Sequence, residues 1–197
     1  MRYPNGHSYQ PTSKRPKKRV QDNFAKRGMR LEDMINAAND LYNSKDLAVI
    51  HKKPTPIQVV KVDYPKRSRA VIKEAYYRQA STTDYNGIYK GYYIDFEAKQ
   101  TNLVKHFPLR NIHDHQVKHM AACDKQGGIC FLLIYFKSLD SCYLYPFSEL
   151  KIAWDNYQNG GKSQLSLEHI QQVSYPVQSG FRPRLDYLKA VDQMLNR

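Results

Sequence analysis

The chain has 197 residues, 41% of them apolar and 25% charged. That is enough for one domain with a real core but hardly for two, and it excludes both a wholly disordered chain and a membrane-embedded one. Thirty-one Lys and Arg against 18 Asp and Glu give a formal charge of +13, and phosphate backbones are the commonest reason for such an excess.

The longest apolar run, Ile129 to Phe136, is eight residues, far short of the roughly 20 a spanning helix needs. The opening Met1-Arg2-Tyr3-Pro4-Asn5-Gly6 has no apolar stretch of the secretory kind, so a reducing cytoplasm is the expected compartment. Cys123, Cys130 and Cys142 stand in no metal-binding spacing and read as buried thiols.

Residues 1–23 are rich in Pro, Ser, Lys and Arg and poor in aliphatic residues, too polar to offset the entropy of ordering. They are expected to form a flexible basic arm, with Lys14, Arg15, Lys17, Lys18 and Arg19 as contacts to nucleic acid. Beyond residue 20 the chain still carries 25 basic against 18 acidic residues. A basic body behind a basic arm points to DNA or RNA more than to a membrane surface. Residues 24–197 are expected to be a single domain.

Leu31, Met34, Ile35, Ala38, Leu41 and Tyr42 recur at helical spacing, predicting a helix over about 27–43. Ala48-Val49-Ile50 predicts a short strand, closed by Pro54 and Pro56. Residues 57–76 read as two β-prone runs around a polar turn, a hairpin whose tip holds Lys66, Arg67 and Arg69.

A second hairpin is predicted over 84–99, then a helix over 109–125 with Ile112, Gln116, Met120 and Cys123 on one face and Gly127-Gly128 as its stop. Ile129–Phe136 predicts a central strand covered on both sides, followed by a strand at 142–147. Ser148 is expected to cap a helix to about residue 157, with Trp154 in the core, and a final helix is expected near 185–195. The order implies an α/β fold, helices packed around a mixed sheet.

In Tyr92 to Lys99, Ile94, Phe96 and Ala98 alternate with Asp95, Glu97 and Lys99. A strand puts the apolar set on one face and the charges on the other. If Lys90-Gly91 is the turn, Asp84 lies directly opposite Glu97, whereas a turn at Asn86-Gly87 would break that pairing. Opposed carboxylates repel unless a proton or cation intervenes, and a divalent metal is the obvious relief. Thr82 and Lys99 fall on the same face.

Other signals are weaker. A second acid-x-Lys triplet, Glu149-Leu150-Lys151, shows that the triplet alone says little. His113-Asp114-His115 reads as helix surface or a phosphate contact, because adjacent helical residues do not converge. Glu32 fits either an outer acidic residue of the site or ordinary first-turn chemistry.

Asp84 followed by Glu97-Ala98-Lys99 resembles the PD-(D/E)xK nuclease core, with Thr83 in place of the proline. Further stretches are more specific: Val49-Ile50-His51-Lys52-Lys53-Pro54-Thr55-Pro56, Ser81-Thr82-Thr83-Asp84-Tyr85-Asn86-Gly87, Tyr93-Ile94-Asp95-Phe96-Glu97-Ala98-Lys99 and His113-Asp114-His115-Gln116. With Arg27-Gly28-Met29 and Pro183-Arg184-Leu185-Asp186-Tyr187 they resemble the RecU Holliday junction resolvases of Gram-positive bacteria over nearly the whole chain.

The resemblance implies a restriction-endonuclease-like core with a protruding stalk at about 57–78, and a Mg2+-dependent endonuclease that Mn2+ could also serve. Its metal ligands would be Thr82, Asp84, Glu97 and Gln116, with Lys99 as the residue that stabilises the transition state. It further implies four-way junction DNA as substrate, a homodimer, the RecA recombinase and the RuvAB branch-migration complex as partners, and a nucleoid-associated cytoplasmic location. The competing expectation is a non-catalytic, junction-binding architectural protein.

Overall fold

The computed structural model describes residues 30–54, 56–66, 69–77 and 82–196. The basic arm lies outside the described residues, as does the expected helix start before residue 30. Helix α1 spans Leu31–Ser44, its Leu31, Met34, Ile35, Ala38 and Tyr42 buried on one face as their spacing predicts. Strand β1 follows at Ala48–Lys52. Strands β2 (Ile57–Lys66) and β3 (Arg69–Tyr77) form the first hairpin, a two-stranded sheet of its own. Ile57, Val59, Val71, Ile72 and Tyr76 stay exposed on it.

Strands β4 (Tyr85–Tyr89) and β5 (Tyr92–Thr101) make the second hairpin. A short β6 (His106–Pro108) leads through a 3-10 turn at Leu109–Asn111 to helix α2 (Asp114–Lys125). The helix predicted from residue 109 is therefore broken. His113 is extended, and Gln116 reaches back to its backbone N–H in a capping box, so the α-helix starts only at Asp114.

Then come β7 (Ile129–Phe136), β8 (Ser141–Pro146), α3 (Phe147–Gln158), β9 (Gln164–Ser166), α4 (Leu167–Val173), β10 (Tyr175–Ser179), β11 (Leu185–Asp186) and α5 (Tyr187–Leu195). Helix α3 begins after extended Pro146 rather than after Ser148, which sits inside its first turn. Leu185 belongs to a strand, so the last helix starts two residues later than predicted.

The main sheet has seven strands in the order β1-β4-β5-β7-β8-β10-β11. Its pairs are antiparallel except β5 with β7, so it is mixed, and helices cover both faces. One core unites α1 and α5 with Ile94, Phe96, Phe131 and Leu133; the other unites α2, α3 and α4 with Cys130, Leu132, Ile134 and Trp154. All eight residues of β7 are buried, as its unbroken apolar run predicts. This is the expected α/β arrangement of helices around a mixed sheet, with a β2–β3 hairpin over the stretch where one was predicted. Among the described residues no helix is long and apolar enough to cross a membrane.

Tyr85, Phe96 and Phe131 stack in a row across β4, β5 and β7, with centroids 4.9 and 4.7 Å apart. Such rings reward only the register that brings them face to face. Gly87 pairs with Ile50 on one side and Ile94 on the other. A Cβ there would come within 2.1 Å of the Val49 carbonyl oxygen and 2.6 Å of Ile50 Cα. Since backbone cannot yield cheaply, Gly87→Ala is expected to destabilise the fold by about 1–3 kcal/mol or more, measured as a lower denaturation midpoint with an unchanged denaturant slope.

Candidate active site

Lys90 and Gly91 both adopt positive φ, 50° and 82°, the conformation of a two-residue hairpin turn that matches strand twist. The register they impose, Tyr85 with Phe96 through Tyr89 with Tyr92, brings Asp84 opposite Glu97. The Asp84 backbone N–H donates to Glu97 Oε2 at 3.0 Å, and Lys99 Nζ pairs with Glu97 Oε1 at 2.8 Å. Glu97 is only 1% exposed. Burial pushes its carboxyl up to about 7; the Asp84 charge adds to the shift, while the Lys99 ammonium opposes it.

Thr82 is exposed and accepts from Lys53 Nζ at 3.2 Å. Gln116 is buried, on the helix that covers the Glu97 side of the sheet, but its Oε1 accepts from the His113 backbone N–H at 3.0 Å and serves as a cap. Direct contacts therefore unite Asp84, Glu97 and Lys99, Thr82 joins through Lys53, and Gln116 bonds to its own helix start.

Glu32 is exposed, ion-pairs with Lys52 and shares with Asp84, Arg30 and Gln100 a cleft of about 180 Å³. The rings of His113 and His115 stack at 5.4 Å, with His113 exposed. A cavity of about 760 Å³ between α3 and the β9–α4 segment shares no lining residue with this cleft. At the stalk tip the backbones of Lys66 and Arg69 pair across the hairpin; their side chains, Arg67, and arm residues Lys14, Arg15, Lys17, Lys18 and Arg19 lie outside the described residues.

Lys53 and Asp95 were not predicted as site residues. The alternation of β5 suggests that Asp95 faces solvent, yet it is 0% exposed, because α2 covers that face. Its Oδ2 accepts from Lys53 Nζ at 2.6 Å and from the Tyr93 hydroxyl at 2.9 Å, while Oδ1 accepts from the Thr83 hydroxyl. Burial drives this carboxyl up, but the bonds from Lys53 and Thr83 outweigh burial and hold it below its ordinary value.

The Lys53 ammonium also donates to Thr83 Oγ1 at 2.7 Å, and the Lys53 backbone N–H donates to the Asp84 carbonyl at 2.8 Å. Lys53 thus holds residues 82–84 by both its backbone and its side chain. The one hint in the sequence was the Lys52-Lys53 pair, whose two members diverge: Lys52 reaches Glu32 and Lys53 turns inward.

Removing the cation from a buried pair leaves a charge without compensation, so Lys53→Met is expected to cost about 3–5 kcal/mol in denaturant unfolding. Glu97 has the opposite character. Its folded-state value near 7 lies above the ordinary 4.5, so the stability it contributes is full below about pH 4.5 and is lost as pH rises through 7. Metal-free protein should therefore lose stability between about pH 4.5 and 7, and Glu97→Gln should flatten that dependence; equal slopes for both would contradict the assignment.

A family model described as "Recombination protein U" matches residues 26–193. A Holliday junction resolvase RecU of Lactobacillus acidophilus is 57% identical over 173 residues, 88% of this chain and 81% of that protein. One from Bacillus licheniformis is 48% identical over 194 residues, covering 98% and 97%. One from Staphylococcus aureus is 50% identical over 200 residues, covering 99% and 96%. A solved structure of Archaeoglobus fulgidus Hjc, a Holliday junction resolvase, aligns at TM-score 0.39 and 8% identity over 70% of this chain and 92% of that one, too loosely to bear on mechanism. The family match over most of the chain and the close relatives make the chain a member of the RecU family of recombination proteins.

Proposed function

We propose that the protein is an endonuclease that resolves Holliday junctions by paired symmetric nicks, acting in homologous recombination, DNA repair and chromosome segregation. The observation that carries this is the register-paired Asp84 and Glu97 with Lys99 on the same strand face, in a chain whose close relatives are named Holliday junction resolvases. A carboxylate held near 7 by burial and by a second acid is a site short of positive charge. The ligands the family resemblance assigns, the Asp84 and Glu97 carboxylates, the Thr82 hydroxyl and the Gln116 amide, all offer oxygen, which suits a hard cation such as Mg2+, with Mn2+ as a substitute.

Thr82, Asp84, Glu97 and Gln116 would hold that ion; for Gln116 this uses the lone pair of Oε1 that the cap leaves free. Bound there, it would supply a water acidified to a nucleophile and charge neutralisation at the scissile phosphate. Lys99 shares the site with Glu97. With a cation held at that carboxylate, the Lys99 ammonium would be free to meet the phosphate oxygens as charge builds in the transition state. Asp84 offers its carboxylate to the site while its backbone N–H orients Glu97.

DNA grip falls to the basic body, to Lys66, Arg67 and Arg69 of the stalk, and to Lys14, Arg15, Lys17, Lys18 and Arg19 of the arm, which neutralise phosphates. In this reading residues 24–197 are one nuclease domain and residues 1–23 its basic arm. Two phosphates related by symmetry must be cut, so a two-fold homodimer supplies one site for each. Work beside RecA and RuvAB at the nucleoid, in the cytoplasm, follows from family resemblance. A purely architectural role leaves two opposed carboxylates on a basic protein without a purpose.

The test is cleavage of a labelled mobile four-way junction and of matching linear duplex, with Mg2+ or EDTA. Paired symmetric nicks are expected in the junction alone and only with Mg2+. Asp84→Ala and Lys99→Ala should lose at least about 100-fold in rate while still binding the junction. Tight, steeply salt-dependent binding without any nicks would establish the architectural role instead.

A further inference from the structure

We propose that Asp95, His119 and Cys123 form a second metal site, for one thiophilic divalent cation such as Zn2+, and that filling it draws Lys53 away from the cleavage site. His119 and Cys123 stand four residues apart on α2 and so share a face, and that face meets β5 at Asp95. His119 Nε2 lies 3.1 Å from Asp95 Oδ2 and 3.6 Å from Cys123 Sγ, and one ligand atom from each of the three residues falls within 4.8 Å of the others. Zinc bond lengths of about 2.0 to 2.3 Å place tetrahedral ligands roughly 3.3 to 3.6 Å apart. The cluster is thus near zinc geometry before any ion arrives.

The donor set decides the class of ion. One carboxylate, one imidazole and one thiol make a mixed O, N, S site, which suits zinc and not magnesium, whose protein ligands are oxygens. On binding, the Cys123 thiol gives its proton to solvent, and carboxylate plus thiolate then balance the double charge. The Tyr93 hydroxyl on Asp95 Oδ2 and the Thr83 hydroxyl on Oδ1 fix the carboxylate from behind, the outer support that metal ligands require. Entry is open: a cavity of about 530 Å³ is lined by Tyr93, His119, Cys123 and Gly128, with room for a water as fourth ligand. Cys130, beside Asp95 on β7 and buried, is not one of the three clustered ligands.

The cluster already has a cation against it. The Lys53 ammonium lies 2.6 Å from Asp95 Oδ2 and 3.2 Å from His119 Nε2, too close for an ion to join it there. A doubly charged, thiolate-bound ion outcompetes a single ammonium for Asp95, and Lys53 must then leave Thr82 and Thr83 as well. Zinc would thereby loosen the segment that carries Asp84. Binding stands on this geometry alone, whereas inhibition rests on the junction-cleaving reading.

Co2+ titration of the whole, metal-free protein under reducing conditions reads the site directly. One equivalent should bind with a near-ultraviolet thiolate-to-cobalt charge-transfer band, survive excess Mg2+, give way to Zn2+, and lose the band in Cys123→Ser. Absence of the band, or a band that persists in Cys123→Ser, overturns the site. In junction cleavage with saturating Mg2+, Zn2+ should inhibit wild type, and Cys123→Ser should need at least about tenfold more Zn2+ while matching wild type without it. Equal inhibition of both overturns the coupling through Lys53 even if the band is present. A wild type that never cleaves in Mg2+ alone would overturn the cleavage reading, and the inhibition with it, while leaving the cobalt result to decide the site.

Discussion

Strand β5 has to bury both of its faces, and one of them carries Asp95 and Glu97. A buried carboxylate without partners is untenable, since desolvation costs several kcal/mol per charge, so the surroundings are organised to answer two negative charges two residues apart. For Asp95 the answer is complete. Lys53, Thr83 and Tyr93 all donate to it, and its carboxyl stays ionised below its ordinary range. For Glu97 it is incomplete: one backbone N–H and one ammonium face burial and the Asp84 charge, and the carboxyl rises to about 7. The satisfied acid is a structural anchor. The unsatisfied one is where added positive charge would be stabilised most, and that imbalance is what the proposed metal site rests on.

Packing on the opposite face makes this arrangement possible. The stacked rings of Tyr85, Phe96 and Phe131 tie β4, β5 and β7 into one register, and Tyr187 of α5 closes over Phe96 at 5.2 Å. A slip of one residue would turn the carboxylates into the apolar core, so aromatic packing and the placement of the carboxylates are two sides of one constraint. The same strand alternation that hides Phe96 aims Glu97 at α2.

Lys53 joins the two faces of the problem. It sits just beyond β1, the edge strand next to β4, and its backbone and side chain together hold residues 82–84 against Asp95. A single lysine therefore links strand pairing, charge compensation and the placement of Asp84. Its ammonium is shared among more acceptors than it has protons, which is why another cation at Asp95 would be felt in the loop that carries Thr82.

Local rules made much of this legible. The period of α1, the unbroken run of β7 and the Lys90-Gly91 turn each follow from short-range preferences, and the turn alone determines that Asp84 faces Glu97, because hairpin pairing propagates residue by residue. Short-range preferences also misled where a neighbour intervened: Gln116 caps its own helix and breaks the stretch from residue 109, and extended Pro146, not Ser148, precedes α3. The small strands β6, β9, β10 and β11 were invisible because partners distant in sequence, not propensity, make them strands.

Above all, the alternation of β5 separated apolar from charged residues but could not say that the charged face is also buried. That depends on α2 folding over it, a contact between segments some 20 residues apart that no pattern within β5 encodes. The sequence by itself determined that one of two candidate turns would set Asp84 opposite Glu97, because hairpin pairing propagates from the turn; only the tertiary structure decided for that turn, and which acid is compensated, by Lys53, and which is left short of charge.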